Sequence, residues 1–279
     1  MDIQNILLII VFIINLFFTM FAYFHKIGEN RLNSIFALFS LSVTSWVASM
    51  FFYRQVIGSL EVFVALKILY TAPLFIPIIF LYFVIVFTKI KFALSEGVIK
   101  RALLWISLVF SSIVIFSDKF IINAQIPIQG EKIIAFGSWY GLYVVYFVLF
   151  FGSAFIVLAK KYLSSEDSIL KVRIKYLFLG IFISSSLGMF TNLTLPWLGF
   201  FELNWLGNVL TVFYVIFLAY AIVRHKLLNV KMATAELLIL TIIIILLIQI
   251  LLTQSILELV IKSFVVMLIA VFGFLLVRS

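Results

Sequence analysis

Apolar runs long enough to cross a lipid bilayer follow one another along nearly the whole chain, joined mostly by short polar connections. They fall at 3–24, 33–53, 61–87, 102–117, 139–159, 176–195, 203–223, 235–253 and 258–277. The first, Ile3–Phe24, measures about 33 Å as a helix, which matches the hydrocarbon thickness. In lipid each backbone N–H and C=O must find a partner within the protein, and a helix supplies one locally. Hydrophobic residues make up 66% of the sequence and charged residues 11%, too apolar a balance for a water-soluble domain. The expected fold class is all-α: a polytopic integral membrane helix bundle with about nine transmembrane helices. Asp2 stands where a secretory leader carries basic residues, and His25-Lys26 follows the first run. That run therefore reads as a span and not as a cleaved leader.

Charge in the loops sets the orientation. Fifteen Lys and Arg lie in alternate loops and at the C-terminus, among them Lys26, Arg31, Lys89, Lys160, Arg173 and Arg224. The other loops hold three: Arg54, Lys119 and Lys132. By the positive-inside bias the N-terminus is outside and the C-terminus cytoplasmic. The same bias explains the net charge of +9 without nucleic acid as a partner. Trp139, Trp197 and Trp205 fall at the outer ends of the fifth, sixth and seventh runs, as interfacial aromatics do.

Catalytic chemistry finds little support. The chain has no Cys and two His, His25 and His225, both beside basic residues at the ends of runs. Three or four converging metal ligands are not in view, nor is a Gly-rich phosphate loop or a Gly-x-Ser-x-Gly elbow. No catalytic residue, metal or cofactor is expected.

Polar groups inside the runs are better candidates. Lys67 lies within the third run, about 9 Å from its outer edge as a helix, with Tyr70 and Thr71 on the same face. It reads either as a ligand anchor or interhelical charge, or as a lysine snorkelling outward. Pro73 and Pro77 follow and kink the helix, as a hinge or as static packing. In the sixth run Gly180, Ser184, Gly188 and Asn192 recur every four residues, a small-residue face that admits a close neighbouring helix. Asn192, with Asn204 and Asn208 at i, i+4 in the seventh run, makes a polar outer rim, for a ligand or for interhelical bonding. Glu258 and Lys262 form a favourable local i, i+4 pair. Ser164-Ser165-Glu166-Asp167 reads as a helix start with a Ser cap and acids in the first turn.

In order, several segments resemble one family. They are Asn33-Ser-Ile-Phe-Ala-Leu-Phe-Ser-Leu-Ser-Val-Thr-Ser-Trp46, Lys67-Ile-Leu-Tyr-Thr-Ala-Pro-Leu-Phe-Ile-Pro-Ile-Ile-Phe-Leu-Tyr-Phe83, Lys175-Tyr-Leu-Phe-Leu-Gly180, Thr191-Asn-Leu-Thr-Leu-Pro-Trp197 and Ala219-Tyr-Ala-Ile-Val-Arg-His-Lys-Leu-Leu-Asn-Val230. Together they resemble the N-terminal seven-transmembrane sensor region of bacterial membrane histidine kinases. The resemblance implies a sensor bundle over 1–230, then a two-helix transmembrane hairpin over 231–279 leading toward a cytoplasmic output domain that this chain lacks. Neither His lies in the family's phosphoacceptor context, so no kinase residue carries over and the chain itself has no catalytic domain.

The resemblance also implies a multi-pass protein of the cell inner (plasma) membrane. Its partners would be the lipid bilayer, a small-molecule or membrane-dissolved signal, a second copy of the chain as a homodimer, and a kinase module in cis. The expected function is the signal-input module of a two-component system, with Lys67, Tyr70, Thr71, Asn192, Asn204 and Asn208 binding the signal. A small polytopic transporter or channel is the alternative.

Overall fold

The computed structural model describes residues 2–24, 30–90, 95–126 and 132–225. The eighth and ninth apolar runs, the hairpin expected of them over 231–279, and the expected Glu258–Lys262 pair lie outside the described residues. Within them the chain is a helical bundle. Its helices are α1 (Ile3–Phe24), α2 (Asn30–Gln55), α3 (Ser59–Thr71), α4 (Phe75–Thr88), α5 (Glu96–Phe116), α6 (Tyr140–Ser164), α7 (Ser168–Met189), α8 (Leu195–Trp197), α9 (Leu206–Val209) and α10 (Val212–His225). Six helical stretches among the described residues are long and apolar enough to cross a membrane, and Leu206–Leu218 is a shorter apolar one. The first seven expected runs each coincide with one of these, within a few residues at most ends.

Neighbours in sequence pack together. α1 lies along α2, α4 lies between α2 and α6, and α10 packs on α7. α5 leans on α3 and α4 from outside and shows lipid a broad apolar face, including Leu104, Trp105 and Phe116. The core is aromatic: Phe36, Phe80, Phe83 and Tyr140, Tyr143 and Tyr146 of α6 are buried.

The connection between α5 and α6 contains a β-hairpin. β1 (Ile121–Gln125) pairs antiparallel with β2 (Ile133–Phe136), with Ile121 opposite Phe136 and Gln125 opposite Ile133. Two backbone bonds close its base, Gly137 N–H to the Phe120 carbonyl at 2.9 Å and Trp139 N–H to the Lys119 carbonyl at 3.2 Å. The strands persist because Phe120, Ile121 and Ile134 are buried against the helices. Lys132 fixes the hairpin to α2 by donating to the Tyr53 carbonyl. The start of α1 joins the same end, where Arg54 pairs with Asp2 at 2.9 Å and donates to Asn5 at 3.0 Å. At the opposite end Arg31 pairs with Glu96, and Tyr82 donates to the same carboxylate at 2.8 Å.

The start of α7 is as expected, but its cap is not a serine. Asp167 accepts from Ile169 N–H at 2.8 Å and Leu170 N–H at 3.2 Å. A carboxylate fills this role as well as a hydroxyl and also suits the positive end of the helix dipole.

Candidate functional site

The third run is not one regular helix. α3 ends at Thr71, a 3₁₀ turn covers Ala72–Leu74, and α4 begins at Phe75. The cause is Pro73 and Pro77, which bring no N–H to the ladder. In 3₁₀ geometry a carbonyl bonds the N–H three residues on. Tyr70 precedes Pro73 by three residues, so its carbonyl receives no such bond, whereas Leu74 is the N-cap of α4 and its carbonyl opens that helix's own ladder. Tyrosines of α6 reach both carbonyls. Tyr143 donates to the Tyr70 carbonyl and Tyr146 to the Leu74 carbonyl, both at 2.6 Å. One α6 turn earlier, Tyr140 donates to the Leu193 carbonyl of α7's continuation at 3.0 Å.

That continuation is itself irregular. A π-helical segment, Phe190–Thr194, links α7 to α8, and such segments concentrate at functional positions. Its Thr191 and Asn192 are buried, with Asn192 Nδ2 bonding Thr191 Oγ1 at 3.0 Å. Both lie against Gly207 of α9. A Cβ added there would fall 1.9 Å from Asn192 Nδ2 and 2.3 Å from Thr191 Oγ1.

Kink and π-segment flank a cavity between α2, α3, α6, α7 and α10, in the half of the bundle nearer the hairpin. It offers about 70 Å³ to the centres of water-sized molecules, where one water needs about 10–15 Å³ by that measure. Its wall is mainly apolar, with Phe, Ile, Leu, Val and Trp46, and among the described residues no ionisable side chain other than tyrosine lines it. Asn192, Asn204, Ser184, Ser185, Thr211 and Tyr214 supply polar atoms. Aromatic rings seal it toward the hairpin: Phe136 stacks on Tyr140 at 3.9 Å, and Tyr70 meets Phe120, Phe136, Tyr140 and Tyr143 edge-on within 6.2 Å. Asn204 also borders a void of about 10 Å³ beside Tyr53, Arg54, Lys132 and Trp205.

The sequence-expected residues divide. Tyr70, Asn192 and Asn204 line the cavity. Tyr70 is 4% exposed and its hydroxyl has no hydrogen-bond partner, a condition that costs about 1–3 kcal/mol. Asn208 sits just behind the wall, its Nδ2 donating to the Trp46 carbonyl at 3.3 Å and its Oδ1 buried without a partner. Lys67 and Thr71 are not in the lining. Lys67 turns to α5, where its ammonium donates to the Ile115 carbonyl and lies 4.7 Å over the Phe63 ring. The reason is that the last carbonyls of a helix lack an intrahelical donor and attract a nearby cation. Thr71 Oγ1 is buried without a partner at the helix break. Among the described residues no three His, Asp or Glu side chains come together in a way that would hold a metal.

The sequence model of the N-terminal 7TM region of histidine kinase matches residues 7–231. The chain belongs to this family. No curated protein and no solved structure matches it. In this member of the family, six long apolar helices and a shorter seventh among the described residues are what a multi-pass membrane protein needs.

A polar network that the sequence reading passed over runs through the centre of this sensor-family bundle. Asn15 of α1 is fully buried; its Nδ2 donates to the Val11 carbonyl at 2.9 Å and to Thr211 Oγ1 at 3.2 Å. Tyr214 donates to Asn15 Oδ1. Thr19 Oγ1 donates to Ser40 Oγ at 3.0 Å, and Ser40 lies 3.3 Å from the Tyr214 hydroxyl. Ser184 of α7 accepts from Tyr214 N–H at 2.9 Å and donates to the Leu210 carbonyl at 3.2 Å. The small-residue face of α7 does admit a close helix: a Cβ at Gly180 would lie 2.7 Å from Phe217 Cβ. Two signals were readable in advance, a lone Asn within an apolar run and Tyr at 140, 143 and 146 along one helix face.

Proposed function

We propose that the chain is the signal-input module of a membrane histidine kinase, with the cavity as the place where the signal is read. The observation that carries this reading is the double role of α10. Tyr214 of α10 and Thr211, the residue before it starts, line the cavity, and the helix is hydrogen-bonded to α1 and α7 and runs on to the end of the bundle away from the hairpin. An occupant that fits one arrangement of these helices better than another would bias α10, and only that difference in affinity can do work. In this reading the hairpin end faces outside, the opposite end with Arg31 and Glu96 faces the cytoplasm of an inner-membrane protein, and a kinase module acts in cis, in a homodimer.

The test is a fusion of the chain to the cytoplasmic portion of a histidine kinase, with autophosphorylation as readout. Filling the cavity by Ser185→Phe should change the rate several-fold. Leu149→Phe, at a site 60% exposed on the lipid face of α6, should leave it unchanged. Equal rates for all three proteins would count against the sensor reading.

A further inference from the structure

We infer that the cavity takes a small, uncharged, mainly apolar molecule carrying one hydroxyl, carbonyl or amide group, held by Asn192 and Asn204. The argument starts from what the wall lacks. Among the described residues no Lys, Arg, His, Asp or Glu lines the space, so an ion entering it would lose its hydration with no opposite charge from them to meet. Two cations, Arg54 and Lys132, lie beyond Asn204 around a separate void of about 10 Å³. Both are engaged there, Arg54 with Asp2 and Lys132 with the Tyr53 carbonyl.

The polar groups that do reach the space are amides and hydroxyls. Ser184, Thr211 and Tyr214 already bond within the helix network. Asn192 donates only locally, to Thr191, and the π-segment places it on the cavity wall. Asn204 completes the set, and Tyr70 adds to the wall. An amide both donates and accepts, so it suits a hydroxyl, carbonyl or amide equally. The room, about 70 Å³ for the centres of water-sized molecules, corresponds to roughly five waters or a ring with a short polar arm.

The inference rests on the sensor reading for its purpose, but its test needs no kinase. Benzyl alcohol, benzoate and benzylammonium share one ring and differ in charge. Their binding to the full chain in lipid nanodiscs is followed by saturation-transfer difference NMR, with thermal unfolding as a folding check. Benzyl alcohol should bind saturably, and the two ions at least about tenfold more weakly. Asn204→Leu and Asn192→Leu should each weaken the alcohol about fivefold, the equivalent of one net hydrogen bond. Ser185→Phe, and the milder Ser185→Leu, should abolish or reduce the saturable signal while leaving partition into lipid unchanged. Ions that bind as tightly as the alcohol, or alcohol binding indifferent to all four substitutions, would overturn the assignment. Lost binding with an intact response of the kinase fusion would sink the ligand class alone; intact binding with a silent fusion would sink the sensor reading alone.

Discussion

Asn15 donates its side-chain amide to the hydroxyl of Thr211 at 3.2 Å, across 196 residues of chain, and so ties the first helix of the bundle to α10. Interhelical hydrogen bonds in membranes average about 0.6 kcal/mol and reach about 1.7. Asn15→Leu keeps the volume but removes two interhelical bonds, those to Thr211 and from Tyr214. Ser40, 3.3 Å from the Tyr214 hydroxyl, can recover part of the second. The expected loss is therefore about 1–2 kcal/mol, measured by unfolding in mixed detergent–SDS micelles. A double-mutant cycle with Thr211→Val should return a coupling near 0.6 kcal/mol.

The tyrosines of α6 make a sharper case, because one acceptor, the Tyr70 carbonyl, lies three residues before Pro73. Tyr143→Phe leaves the Tyr70 carbonyl without its side-chain donor and should cost about 1–2 kcal/mol. Pro73→Ala restores an N–H three residues beyond that carbonyl. In the Pro73→Ala background the cost of Tyr143→Phe should fall by at least half. Additive losses would show that the donor and the proline are unconnected.

Glycines on α6 and α7 should respond in opposite directions. A Cβ at Gly152 meets nothing within 4 Å, so Gly152→Ala should stabilise the helix by about 0.5–1 kcal/mol. At Gly180 the new Cβ would lie 2.7 Å from Phe217 Cβ and 3.4 Å from Tyr214 Cα. Neither atom is the far end of a flexible side chain, so α7 and α10 must move apart. Gly180→Ala should therefore destabilise by about 1–3 kcal/mol, read in the same unfolding assay.

Orientation can be read by chemistry, since the chain contains no cysteine. Single cysteines at Lys119 on the hairpin end and at Ser165 between α6 and α7 should label differently with a membrane-impermeant maleimide added to intact cells. Lys119→Cys is expected to react at once and Ser165→Cys only after the membrane is opened. The reverse pattern would invert the bundle.

Much of this architecture could be read from the chain because a lipid solvent demands it. Seven of the apolar runs coincide with helices, since an uninterrupted apolar stretch in a bilayer has little choice but helix. The hairpin at Ile121–Phe136 could not be read so. Its strands are short, and they are held by rings of Tyr70 and Tyr140, which are near only once the helices have packed. The proline break was legible at Pro73 and Pro77, but its repair was not, because Tyr143 and Tyr146 reach it from a helix more than sixty residues away. For the site, Tyr70, Asn192 and Asn204 were found as polar groups in apolar surroundings. Lys67 shared that signature yet serves the Ile115 carbonyl, because one face of α3 looks at α5 and another at the cavity. Sequence spacing placed Lys67 and Tyr70 together; the neighbouring helices separated them.

The π-segment at Phe190–Thr194 has a consequence at the level of the gene. A π-turn holds one residue more than an α-turn, and one residue is worth about 100° of rotation about the helix axis. The wide turn absorbs that extra residue, so loss of a single codon from the segment would restore a plain helix and leave Pro196 and Trp197 facing as they do. Trp197 would keep its edge-on place 5.9 Å from Tyr140, while the step that sets Thr191 and Asn192 on the cavity side would be lost. An in-frame deletion here would act on the wall that carries Asn192 and spare the helix beyond it.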